Sequence, residues 1–422
     1  MDKKINNNKI IYIFIFFLVT IISIVVRIRG LNVLSIDMKG PLLRWFYLIK
    51  NNGGLKALAL NIGDYNMPYL TIMALLTYIP ISPIIALKMV SIIFDYLLAF
   101  FSVRLIKEIL KERYNIKIGI IGYSVIILLP TVILNSSFWG QCDSIYVTFI
   151  VISLIYLIRE RYIMSFVFLG ISFSFKLQFI FVLPVYVLYY LSKKKMHLKY
   201  FFVIPLVNII MCIPAVLFGK GIIDCLKVYL NQTKEYNYSI SLNFPGIYSF
   251  LYNARKEDNL VMLPNRWIAK FMILLVGFIF FSIALYVIIK KVKFKESLII
   301  ETVVWSVLIC TCFLPYMHDR YAYIADVFSI MYCILYGKKK IYVPIGIQIS
   351  SLYTYLFFLY RINHVDIKFF SLINIIIISL LSISLFKHFK SNSENNNAIN
   401  IIIIKKLLCN FFNISKHDNL KG

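Results

Sequence analysis

The chain has 422 residues, 60% of them apolar and 15% charged, with a formal net charge of +26 and a mean hydropathy of +0.81. Soluble domains run about 45–50% apolar and about 25% charged, so this composition excludes a water-soluble fold, which would have nowhere to hide so much apolar surface. The positive charge sits in short clusters between apolar runs, which excludes a basic nucleic-acid-binding face and turns the clusters into a topology signal.

The first apolar run, Ile10 to Val26, ends at Arg27 and Arg29 with no small-residue cleavage site behind it, so it reads as a retained span. Cytoplasmic loops are rich in Lys and Arg, and Lys3, Lys4 and Lys9 place the N-terminus inside. Residues 28–67 then form a first outer loop, expected to be helical. Pro68 to Ile106 return the chain to the basic loop Lys107 to Lys117, with a break at Pro80-Ile81-Ser82-Pro83, so residues 68–82 either cross or only dip in. Further spans follow at 118–134, 143–158, 162–175, 179–191 and 200–218, then a long outer loop, 219–266. The last spans are 267–289, 299–314, 321–336, 341–360 and 369–385. The expectation is an all-α integral membrane protein with about twelve transmembrane helices (11–13) in residues 1–390 and both termini cytoplasmic. Residues 391–422 read as a polar tail with an amphipathic stretch, Ile401 to Phe412. The seven cysteines are odd in number and scattered, with neither a disulfide framework nor a metal-ligand spacing.

On this topology the dense lysine clusters all fall inside, and the unusual polar residues fall outside. Asp37 follows span one, and Arg44 stands seven residues on, on one helical face with it; an acid there is a candidate proton acceptor. Asp64 and Tyr65 precede a helix for which Pro68 suits the first position, so Asp64 reads equally as a cap and as a functional acid. Trp139, Gln141 and Asp143 put an aromatic face, an amide and an acid into one turn, a mixture suited to sugar; the plainer reading is an interfacial Trp and a capping Asp. Lys176 and Gln178 interrupt an apolar stretch, where the cation either meets a phosphate or snorkels to the surface. His318, Asp319 and Arg320 begin the return from an outer loop, and a His with an Arg suits a departing phosphate. Gln232-Thr233 and Ser239 to Pro245 read as a structured loop beside the site. Asp95 and Glu301 are buried acids expected to pair with Lys or Arg in the bundle.

An acid beyond span one, then Gly63-Asp64-Tyr65-x-x-Pro68-Tyr69-Leu70, Trp139-Gly140-Gln141-x-Asp143-Ser144, Phe175-Lys176-x-Gln178 and His318-Asp319-Arg320-Tyr321, resembles the C-type membrane glycosyltransferases. The nearest likeness is to bacterial enzymes similar to the second mannosyltransferase of glycosylphosphatidylinositol synthesis, and the first two motifs also resemble the glucosyltransferases of asparagine-linked glycans. The resemblance implies inverting transfer of a hexose, mannose favoured, from a polyprenyl-phosphate donor to a glycan or glycolipid acceptor at the outer face of the plasma membrane. It implies Asp37 as general base, oriented by Arg44. Asp64 and Tyr65 would line the acceptor or support Asp37, while Trp139, Gln141 and Asp143 would shape the sugar site. Lys176, His318 and Arg320 would hold the donor phosphate. Many members have Glu where this chain has Asp319. No cofactor is expected beyond the lipid-phosphate sugar as substrate, and no metal, because there is no Asp-x-Asp and no paired-carboxylate motif. Two other classes compete: a flippase or transporter of lipid-linked sugars, which would place polar residues at mid-membrane in two related halves, and a polysaccharide polymerase, which would lean on outer-loop arginines where this loop has only Arg255 and Arg266.

Overall fold

The computed structural model describes residues 2–193, 195–230, 239–255, 257–262 and 266–393. The expected tail stretch Ile401 to Phe412 and the pair Gln232-Thr233 lie outside them. Among the described residues, seven helices are long and apolar enough to cross a membrane: Lys9–Leu31, Pro83–Arg113, Leu198–Leu217, Arg266–Ile289, Glu296–Phe313, Lys338–Tyr360 and Ile367–Ser391. The pair Ile116–Ile127 and Pro130–Trp139, bent by 49°, makes an eighth if it is one span. The chain is therefore an all-α, multi-pass membrane protein. Its outward faces are apolar, with Trp267 and Leu274 each 72% exposed and Phe278 66%, the inverse of a soluble surface and the pattern expected against lipid.

The count stops short of the twelve expected from sequence because four expected spans are short apolar helices: Asp143–Ile158, Tyr162–Phe175, Leu177–Ser192 and Tyr323–Tyr336. At 1.5 Å per residue the longest of them reaches about 24 Å, less than the ~30 Å hydrocarbon core. Each begins or ends beside a polar motif. Helix Tyr162–Phe175 stops where Lys176 turns extended (φ −148°, ψ 140°), and Asp143 is the first residue of its helix. These helices are short because a polar site is sunk into one end of the bundle.

The two ends differ as the charge pattern requires. At one, the basic loops meet: Lys195 lies 3.1 Å from Glu160, and Lys111 lies 3.5 Å from Glu296. The polar motifs gather at the other. There, residues 38–59 are helical in a π-helical turn Met38–Leu42, an α-helix Leu43–Asn51 and a 3-10 turn Gly54–Ala59. The long loop contributes strands β1 (Ser239–Leu242) and β2 (Leu260–Met262), which pair antiparallel. Strand β3 (Met317–His318) adds in parallel on β1's other side, giving the order β2-β1-β3. Asp319 N donates to Leu242 O at 3.1 Å, so the long loop holds the His318–Arg320 turn in place.

Inside the bundle, polar side chains join helices that lipid gives no hydrophobic reason to associate. Ser165 Oγ donates to Ser153 O at 2.9 Å across helices Asp143–Ile158 and Tyr162–Phe175. Arg27 does not end the first span: the helix runs on to Leu31, and the buried guanidinium donates Nε (3.0 Å) and Nη2 (2.9 Å) to Asp95 Oδ2. Ser136 Oγ donates to the same oxygen at 2.6 Å. That is the basic partner expected for Asp95. Glu301 takes a different one, His388 Nδ1 at 2.6 Å, with Tyr336 OH at 3.1 Å. Buried Lys88, which attracted no notice in the sequence, donates Nζ to the carbonyls of Gly30 (2.7 Å) and Val33 (2.6 Å). It thereby ties down the chain where the first helix ends, beside the Val33 N to Gly30 O bond of 3.0 Å.

Candidate functional site

A cavity of about 880 Å³ opens at the motif end. Ten of the residues singled out in the sequence line it: Asp37, Arg44, Asp64, Tyr65, Gln141, Lys176, Gln178, His318, Asp319 and Arg320. Residues far apart in the chain meet there because each follows or precedes a span on the same side of the bundle.

Asp37 stands at the start of the π-helical turn with its side chain one-quarter exposed. Trp139 Nε1 (2.7 Å) and Gln141 Nε2 (2.6 Å) both donate to its Oδ2. Arg320 Nη1 approaches the same oxygen at 3.9 Å. Oδ1 accepts nothing among the described residues. Tyr65 OH donates to Gln141 Oε1 at 2.8 Å, which fixes the amide so that its NH2 faces Asp37. The guanidinium beside Asp37 is therefore Arg320 rather than Arg44. A π-helical turn hydrogen-bonds i to i+5, so it breaks the phase on which the seven-residue spacing relied; Arg44 lines the cavity without an ion pair to Asp37.

Trp139 is fully buried, not interfacial, and its indole ring offers no platform to a ligand. It stacks on Phe358 (centroids 4.0 Å apart, 14° between planes) and lies under Arg320 Cζ at 5.4 Å. Phe358, on the other side of this stack, does line the cavity, and nothing in its surroundings in sequence marked it. Gly140 makes the turn after Trp139 at φ +83°. A Cβ there would come within 2.4 Å of Met38 Cε, beside Asp37. Gly140→Ala is expected to cost about 1–3 kcal/mol through backbone strain, read as a lower melting temperature of the solubilised protein.

Asp143 is also buried, and it does not cap its helix. Its Oδ1 takes Lys176 Nζ at 2.6 Å, and its Oδ2 takes Asn135 Nδ2 at 2.7 Å with Arg320 Nε at 3.7 Å. Lys176 is 5% exposed and so does not snorkel; it also lies over the Tyr65 ring at 5.5 Å. Asp64 is not the cap of helix Met67–Leu76 either. Asn66 is, accepting from Met67 N at 2.9 Å, and Pro68 takes the second helical position. Asp64 remains on the cavity wall, where burial raises its carboxyl above the usual range.

Burial, with Arg320 and Lys176 nearby, lowers the His318 imidazole to about 3, so near neutral pH it carries no charge. Burial pushes Asp319 up to about 7, against the pull of Arg320 and with the push of Asp37. The folded state thus holds this proton to higher pH than the unfolded chain, whose value is 3.8. Stability from this group is complete below the unfolded value and declines as pH rises towards about 7. Asp319→Asn is expected to flatten that decline, with the larger gain in melting temperature at pH ~8 than at pH ~5.

Lys220 is a residue that sequence reading passed over. It lies three residues beyond the span Leu198–Leu217, in a loop read only as neighbouring structure, and its Nζ donates to Leu60 O at 2.7 Å and Asn61 Oδ1 at 3.2 Å. Its only signal was a lone lysine at a span's end.

Fold and site together define an all-α, multi-pass membrane protein with a polar, charge-lined cavity sunk into the end opposite its basic loops. No protein-family model matches the chain, and no curated protein matches it.

Proposed function

We propose that this protein is an inverting membrane glycosyltransferase that moves a hexose, mannose favoured, from a polyprenyl phosphate to a hydroxyl of a glycan or glycolipid. The observation that carries this reading is Asp37: a carboxylate clamped through Oδ2 by Trp139 and Gln141, with Oδ1 left to accept, on the wall of the cavity opposite the basic loops. In the reaction, Oδ1 takes the proton of the acceptor hydroxyl as that oxygen attacks the anomeric carbon. The bond from the anomeric carbon to the phosphate oxygen breaks, configuration inverts, and the polyprenyl phosphate leaves as an anion facing Arg320. Because the leaving group is already acidic, no strong general acid is needed. Lys176 acts indirectly, by holding Asp143 and through it the Arg320 side chain.

In this reading the four short apolar helices complete twelve passages, with both termini cytoplasmic and the cavity on the outer face of the plasma membrane. Its support is the clustering of the basic loops at the opposite end. The test is transfer of labelled hexose from polyprenyl-phosphate mannose and polyprenyl-phosphate glucose in membranes containing the protein, with lipid-linked glycan acceptors present. Protein-dependent transfer from either donor supports the enzyme. Its absence from both turns the reading to transport of the lipid-linked sugar.

A further inference from the structure

The buried part of the cavity wall is short of free positive charge, since Arg44, also on the lining, is exposed. Among the described residues, Asp37, Asp143 and Asp319 lie 2.6 to 3.9 Å from only two cations, Lys176 and Arg320. Lys176 is spent on Asp143, His318 is neutral, and Arg320 is shared among all three carboxylates. An arriving phosphate finds little there to balance its charge.

Lys220 differs. It is 6% exposed and lines the same cavity, yet no carboxylate among the described residues lies within ion-pair distance of it. Both groups that accept from its Nζ, Leu60 O and Asn61 Oδ1, are neutral. They fix the ammonium without neutralising it, and Asp224, an acid on the same cavity wall that acts on it, stands beyond ion-pair distance. A buried ammonium is costly without a counter-ion in contact, so this point of the cavity favours an anion.

The position of Lys220 says which kind. The span Leu198–Leu217 ends just before it, which sets Lys220 near headgroup depth. The segment around it turns apolar side chains outward: Leu217 is 78% exposed, Ile223 62% and Leu230 65%. This wall of the cavity thus faces lipid on its outside and presents a fixed cation on its inside, at the depth where a lipid's phosphate travels. We propose that Lys220 is an anion subsite for lipid-borne phosphate, taking the phosphate of a lipid-linked substrate that enters beside the helix Ile222–Leu226. The proposal rests on the glycosyltransferase reading only for the identity of the lipid.

The test is binding to the full-length solubilised protein, measured without transfer so that it stands apart from enzymatic activity. The ligands are undecaprenyl phosphate, neutral undecaprenol, phosphatidylglycerol and inorganic phosphate. Undecaprenyl phosphate is expected to bind far better than undecaprenol. Lys220→Gln is expected to weaken it roughly 10- to 100-fold, the loss of one charge-assisted hydrogen bond, with undecaprenol unaffected and Lys220→Arg retaining most of the affinity. An unchanged gel-filtration profile and a functional Lys220→Arg separate loss of the contact from loss of the fold. Equal binding of phosphatidylglycerol, also lost in Lys220→Gln, supports a lipid-phosphate subsite serving bulk lipid. Equal binding of inorganic phosphate overturns the lipid assignment. Undecaprenyl phosphate bound undiminished by Lys220→Gln, or lost only in Lys176→Gln, overturns the site.

Discussion

Asp37→Asn is expected to lower hexose transfer by about 10²–10⁴-fold, the usual worth of a positioned general base, while leaving the protein folded. Both neighbours of Asp37 donate to a single oxygen, Oδ2, Trp139 Nε1 at 2.7 Å and Gln141 Nε2 at 2.6 Å. The asparagine carbonyl can accept both, so the clamp persists. Its NH2 then occupies the place of Oδ1, where it offers a proton to the acceptor hydroxyl instead of taking one. The loss should fall on kcat more than on donor KM, since the removed interaction belongs to the transition state. Trp139→Phe provides the graded comparison: it keeps the stack on Phe358 and removes one charge-assisted hydrogen bond, worth about 1.5–3 kcal/mol. Transfer assays on membranes with matched protein levels decide the matter. If Asp37→Asn retains transfer within tenfold of wild type and Asp64→Asn does not, the base is Asp64 and the clamp on Asp37 is structural.

Lys176→Met is expected to destabilise the protein by about 3–5 kcal/mol, the cost of leaving a buried charge without its partner. Both members of the pair are buried, with side-chain exposures of 6% and 3%, so water cannot replace the lost ammonium. Asp143 would keep Asn135 at 2.7 Å and would draw Arg320, now at 3.7 Å, into a closer contact. That movement takes the guanidinium away from Asp37, so transfer should fall further than stability alone explains. Asp143→Asn in the Lys176→Met background removes the orphaned charge. It should recover much of the melting temperature and little of the activity, an asymmetry that a purely structural pair would not give. Thermal unfolding in detergent and transfer assays on the three proteins measure both parts.

The sequence singled out twelve residues for one site; ten of them line one cavity, and Trp139 and Asp143 are buried behind its wall. What it got wrong concerns orientation. The seven-residue spacing from Asp37 to Arg44 predicts a shared helical face, but Pro41 lies in a π-helical turn between them and the phase is lost. Trp139 reads as an interfacial ring by its place at a span's end, yet it is fully buried, because Phe358 and Arg320 arrive from distant segments to cover it. Asp64 reads equally as a cap and as a functional acid; the cap is Asn66, two residues nearer the helix start, and Asp64 lines the cavity.

By itself the sequence determined that this is a helical, multi-pass membrane protein, and the approximate limits of its helices. Those properties follow from local hydropathy and from the cost of carrying charge across lipid, both additive along the chain. Only the tertiary structure decided which cation meets which carboxylate: that Lys176 is spent on Asp143, that Arg320 reaches Asp37, and that Lys220 has no carboxylate within ion-pair distance among the described residues. Ion pairing depends on side-chain directions from several helices at distances of 3–4 Å. No spacing within one segment encodes that geometry, because the partners lie up to 283 residues apart, as Asp37 and Arg320 do.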